Sequence, residues 1–164
     1  MLSFSDPITS RIVEFLRGIG LAVQSRDLSE PTFLPGILIE NGGLVIDERR
    51  LLYPGDLLHE AGHLAVAPGA LRPQLGGNVT SDPTEEIMAI AWSYAAAVQL
   101  GLDLQVVFHA GGYKGGNDSL IENFTAGRYI GLPMLQWVGM ALDERRANKE
   151  GQPPYPHMLR WLRE

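Results

Sequence analysis

A chain of 164 residues with 45% hydrophobic and 20% charged side chains has the profile of one globular domain spanning 1–164, and at that length folding buries roughly two-thirds of the unfolded surface. The absence of cysteine excludes disulfides, thiol nucleophiles and Cys-based zinc sites, leaving His and carboxylate as the strong metal ligands. A net charge of −6 argues against a nucleic-acid partner, no apolar run reaches the ~18 residues of a membrane span, and MLSFSDPITSRIVEF lacks the pattern of a signal peptide, so a cytoplasmic chain without a membrane partner is expected.

In chain order, Asp6-Pro7 predicts a helix start with Asp as N-cap and Pro at the first position, stopped by Gly18. Gly36 to Asp47 predicts two short strands around Asn41-Gly42-Gly43, a hairpin. Leu51 to Ala67 contains a helix entered through Tyr53-Pro54-Gly55-Asp56 and left at Pro68-Gly69. Residues 68–81 form a Gly/Pro-rich connection. Thr84 to Leu100 is a long apolar helix stopped by Gly101, with Ile87, Ile90, Tyr94 and Val98 on one face. Leu104 to Phe108 fits either a strand or a helical turn. GGYKGGND at 111–118 is a turn, and Asp118 caps a helix through Ala126. Leu132 to Leu142 is helical despite Pro133, the tail EGQPPYPH is extended, and MLRWLRE is a final amphipathic turn or two. Trp137 and Trp161 are expected in the core or against a partner. Few strands among many helices give an α+β class.

The chemistry concentrates in His59-Glu60-Ala61-Gly62-His63. Residues four apart on a helix lie one above the other, so two imidazoles can share one ion. Two His ligands and a third group leave a position open for water, and the Glu beside the first His reaches that water as general base. Leu57, Leu58, Ala61, Leu64 and Ala65 make the segment apolar and carry the histidines inward, where they need partners.

HEAGH within a predicted helix resembles the zincin metallopeptidases. That resemblance implies His59 and His63 as ligands, Glu60 as base, Zn²⁺ as cofactor and a peptide or protein as substrate. The metzincin continuation fails, because Val66 and Gly69 stand where Gly and His are required. The gluzincin pattern takes its third ligand from a following helix, where Asp82, Glu85 and Glu86 compete. Asp82 as N-cap with Glu85 three residues on is a capping-box arrangement, which accounts for both and leaves Glu86 without a structural role. Glu86 shares its side of the helix with the small residues Ala89, Ser93 and Ala97, which suit close approach of another helix. Glu86 is therefore the preferred third ligand, Glu85 the alternative and Asp82 behind both. The pattern N-E-x-x-S-D is absent, and a compact chain of this kind looks more like the ImmA/IrrE group, with the likeness confined to residues 57–98.

Two further residues, His109 and Tyr113, frame the Gly-rich turn FHAGGYKGG and are candidates to stabilise a developing oxyanion. Lys114 is not part of a phosphate loop, since neither Ser nor Thr follows it. The reading is an α+β zincin-like domain: a helix with HExxH, a second ligand-bearing helix and a small sheet or hairpin. Its expected activity is zinc-dependent hydrolysis, with a non-catalytic binding protein on the same frame as the alternative. An oligomer is compatible with either.

Overall fold

The computed structural model describes residues 4–77 and 82–164. Among these, seven α-helices and a three-stranded sheet make a compact α+β fold. Helix α1 (Pro7–Gly18) begins where Asp6 accepts a hydrogen bond from the Thr9 amide and buries Ile12, Val13 and Leu16. Strands β2 (Ile37–Glu40) and β3 (Gly43–Ile46) form the hairpin, with Asn41 at φ 50° and Gly42 at φ 73°. Two successive positive φ values match the right-handed twist of the flanking strands. A strand not foreseen, β1 (Val23–Ser25), pairs parallel to β3, with Val23 opposite Leu44 and Ser25 opposite Ile46. The order is β1-β3-β2, so β3 is central and all four of its residues are buried.

The helix with HEAGH, α2 (Asp56–Val66), packs between β3 and the longest helix, α3 (Pro83–Leu100). Residues Met88 to Ala97 of α3 are buried without a break, because the helix is also covered by α1, by α4 (Leu104–Val107) and by α6 (Leu132–Trp137). The expected single apolar face therefore does not hold. Ile90 and Tyr94 are buried, whereas Ile87 and Val98, near the two ends, are partly exposed. Helices α5 (Asn117–Thr125) and α7 (Glu144–Glu150) complete the set.

The C-terminal end of α2 is closed by the tail of the chain. A helix leaves its last carbonyls without partners. Here Arg72 donates to the carbonyls of Leu64 (2.8 Å), Ala67 (3.1 Å) and Arg163 (2.5 Å), and the Arg163 amide donates to Ala65 O. Trp161 packs edge-on against Phe15 and Trp92, and its carbonyl accepts from the Trp92 indole at 2.9 Å.

Several local expectations change. Leu104 to Val107 is helical. Asp118 lies inside the first turn of α5, whose cap is Gly116, so the helix has no side-chain cap. Helix α6 ends at Trp137, and Ala141 instead pairs in extended form with Met158. That pairing draws the terminal segment away from helix, so MLRWLRE forms none. Trp137 is 84% exposed, not packed in the core. The connection after α2 contains a 3₁₀ turn, Arg72–Gln74, and its last residues, 78–81, lie outside the described part. No helix among the described residues is long and apolar enough to cross a membrane.

Candidate metal centre

On α2, Asp56, His59, Glu60 and His63 follow i, i+3, i+4, i+7 and so share one face. The opposite side of the site comes from α3, and Gly62 is the reason the two helices can meet. A Cβ at Gly62 would stand 2.8 Å from the carbonyl oxygen of Ala89. The close contact brings Glu86, in the first turn of α3, over the imidazole pair.

There the donor atoms converge. His59 Nε2 and His63 Nε2 are 3.2 Å apart. One Glu86 oxygen lies 3.3 Å from His59 Nε2 and the other 3.0 Å from His63 Nε2. A four-coordinate zinc with bonds of about 2.0–2.1 Å holds its ligand atoms about 3.3 Å from one another. The observed separations therefore suit the cation, and the donor set of two imidazoles and a carboxylate has the right chemistry. Glu60 is also close: with His59 and His63 it forms a group whose ligand atoms all lie within 4.8 Å and can hold a metal ion. Glu86 meets both Nε2 atoms, one with each carboxylate oxygen.

The electrostatics are those of a half-closed site. Burial pushes His59 down to about 4, so it is neutral and offers a lone pair across the physiological range. Burial also acts against charge on His63, but the hydrogen bond and charge of Glu86, with Glu60 and Glu85 behind them, outweigh it and raise His63. Glu86 is correspondingly lowered, first by its hydrogen bond to His63. Burial lifts Glu60 to about 7, with His63 opposing and Asp56 and Glu86 adding to the rise.

No family model, curated protein or solved structure matches the chain. What the site can do is set by its own geometry.

The sequence candidates fall as follows. His59, Glu60, His63 and Glu86 come together. Glu85, one residue away on α3, has no contact with the imidazole nitrogens among the bonds described, and acts on His63 only through its charge. Asp82 caps α3 through the Thr84 amide at 2.8 Å, not through Glu85, so the expected capping box is not formed. His109 is buried, and its Nε2 is 2.6 Å from Asp56 Oδ1, while its Nδ1 is buried without a partner among the described residues. Tyr113 Oη lies 3.4 Å from His59 Nδ1, behind the ring and away from Glu86.

Two residues of the site had no functional reading in the sequence. Asp56 looked like part of a helix entry, yet it is 6% exposed and bonded to His109. Tyr53 stacks on the His109 ring with centroids 3.8 Å apart and planes 12° from parallel. The spacing of Asp56 to the HExxH residues was the available signal. Gly55 explains the contact: a Cβ there would collide with the Val106 carbonyl, so its absence lets α4 press on the start of α2 and deliver His109 to Asp56. A surface cavity of about 230 Å³ lined by residues 26–32 and Leu38 shares no residue with this set.

One prediction follows from the His63–Glu86 pair. Without a cation the Glu86 carboxylate favours the charged form of His63, and a metal ligand must be deprotonated. Zinc titrated into chelator-treated protein should therefore release a measurable number of protons. Calorimetry in two buffers of different ionisation enthalpy reads that number. Affinity should fall as the pH is lowered, and an affinity independent of pH would contradict the ion pair.

Proposed function

We propose that the protein is a zinc-dependent hydrolase of peptide bonds, with His59, His63 and Glu86 holding the cation and Glu60 as general base. The observation that carries this reading is the convergence of two imidazole nitrogens and one carboxylate at 3.0–3.3 Å, with Glu60 on the same helix face. When bound, zinc supplies Lewis acidity, lowering the pKa of water and polarising a carbonyl. Glu60 accepts the proton of the attacking water at its carboxylate and returns it to the leaving amine nitrogen. A carboxyl near 7 suits both halves of that task, since it can hold and release a proton at neutral pH. His59 and His63 keep their donor atoms at fixed spacing because α2 is buried along most of its length. Gly62 fixes the distance to Glu86.

The test begins with metal content by plasma mass spectrometry on protein purified without chelator or nickel resin. About one zinc per chain is expected, lost in His63→Ala and Glu86→Ala but kept in Glu85→Ala. Cleavage of a mixed peptide library should then be abolished by chelator and restored by zinc. A wild-type protein that takes up no zinc when zinc is supplied would overturn the proposal and favour a non-catalytic binding protein.

A further inference from the structure

The hydroxyl of Tyr113 is directed at the His59 ring. It approaches His59 from the Nδ1 side, opposite the nitrogen that faces His63 and Glu86. The phenol ring meets His59 edge-on at 5.6 Å and Phe108 edge-on at 5.4 Å, and Phe108 stacks on the fully buried Phe124. The tyrosine is thus backed by the core and pointed at the rear of a ligand.

We propose that Tyr113 is a positioning residue for the metal centre, holding the His59 imidazole by accepting a hydrogen bond from Nδ1–H; this rests on the reading of His59 as a metal ligand. The tautomer argument is direct. An imidazole that presents its Nε2 lone pair to a cation carries its proton on Nδ1, and that proton needs an acceptor. Tyr113 Oη is the acceptor in place. A phenol is neutral at physiological pH, so it offers oxygen lone pairs and no negative charge. A neutral acceptor orients His59 without making it as basic as a carboxylate partner would. The corresponding Nδ1 of His63 is buried without a partner among the described residues, so the two ligands are held unequally.

The loop that carries Tyr113 is built for the purpose. Tyr113 and Lys114 both have left-handed backbones, at φ 56° and 52°, followed by Gly115 at 81°. Left-handed residues other than glycine persist where the surroundings enforce them. Here the loop is fitted against the His109 anchor: a Cβ at Gly111 would stand 2.5 Å from Tyr53 Oη, and one at Gly112 3.1 Å from His109 Cε1. His109 in turn is tied to Asp56, one turn before His59. The chain of contacts returns to the helix that bears the ligands.

Tyr113→Phe tests this, because it keeps the ring packing and removes only the hydroxyl. Zinc affinity, measured by competition with a chromophoric chelator, should weaken by about tenfold, with the unfolding midpoint of metal-free protein unchanged. In a His59→Ala background, whose residual affinity is already low, the same change should add nothing. Nitrogen-15 spectra of zinc-loaded wild-type protein should show a His59 Nδ1–H protected from exchange, which keeps the proposal testable even if the variant folds poorly. Affinity within about twofold of wild type overturns it, as does unchanged affinity with impaired hydrolysis, which would place Tyr113 on substrate. A wild-type protein that binds no zinc would instead remove the metal site itself.

Discussion

Glu60→Gln should retain about one zinc per chain and lose about 10²–10⁴-fold in kcat, the usual contribution of a positioned general base. The variant keeps the shape of the side chain and removes its capacity to accept a proton. The same substitution has a second effect that does not depend on catalysis. In metal-free protein Glu60 sits at about 7 against an ordinary 4.5. Between those values the folded state holds a proton that the unfolded state lacks, so stability falls with rising pH. The stabilisation is complete below about 4.5 and is lost as pH passes through about 7. Its size is about 3 kcal/mol. Glutamine is neutral throughout and escapes the loss. Urea unfolding of chelator-treated protein should therefore show the variant gaining about 3 kcal/mol on wild type between about pH 4.5 and 8. Metal retained with kcat unchanged would remove Glu60 from the role of general base. A stability difference independent of pH would mean that Glu60 is not buried as described.

Gly62→Ala should be strongly destabilising even though alanine is the better helix former. Replacing glycine within a helix gains about 0.5–1 kcal/mol. Against that, the new methyl stands 2.8 Å from the Ala89 carbonyl oxygen, which belongs to helix backbone and cannot rotate away. Overpacking of this kind costs about 1–3 kcal/mol, so the clash wins. The functional loss should exceed the loss of stability, because relief comes from moving α3 outward, and Glu86 moves with it. Zinc affinity and the denaturation midpoint, measured on the same preparation, check both parts. A stabilised variant with unchanged zinc affinity would show that the helix contact does not govern the site.

Much of the local structure was legible because it depends on near neighbours in sequence. The N-caps Asp6 and Asp82, the stop at Gly101 and the Asn41-Gly42 turn are encoded within four or five residues, and each appears in the structure. The failures have other causes. Strand β1 is three residues long and exists through pairing with β3, about twenty residues away. Helix α6 stops short where Gly139 takes φ 77° and the Met140 amide donates to Leu135 O, and in the terminal segment, which is not helical, Met158 pairs with Ala141. Trp137, expected in the core or against a partner, is 84% exposed among the described residues. Tertiary contact decided the strand and the terminal segment, whereas the end of α6 is a local glycine stop.

The same division runs through the site. His59, Glu60 and His63 were readable because the geometry that unites them is one turn of helix, fixed by backbone hydrogen bonds whatever the rest of the chain does. That they lie on a buried helix was readable from its leucines and alanines. Glu86 could be argued from capping and helix phase, but only the packing of Gly62 on Ala89 sets its carboxylate against both imidazoles. The roles around the first ligands were beyond the sequence. Asp56 and His109 are 53 residues apart, and Tyr113 and His59 are 54 apart. No periodicity links positions at that distance; their meeting depends on where α4 docks against Gly55, a matter of side-chain volume and backbone clearance. By itself the sequence determined a helix able to present two imidazoles and a carboxylate, since that follows from helical repeat alone. The tertiary structure decided which second carboxylate lies against the imidazoles and which groups stand behind them, because those depend on the approach of separate elements packed at van der Waals distance.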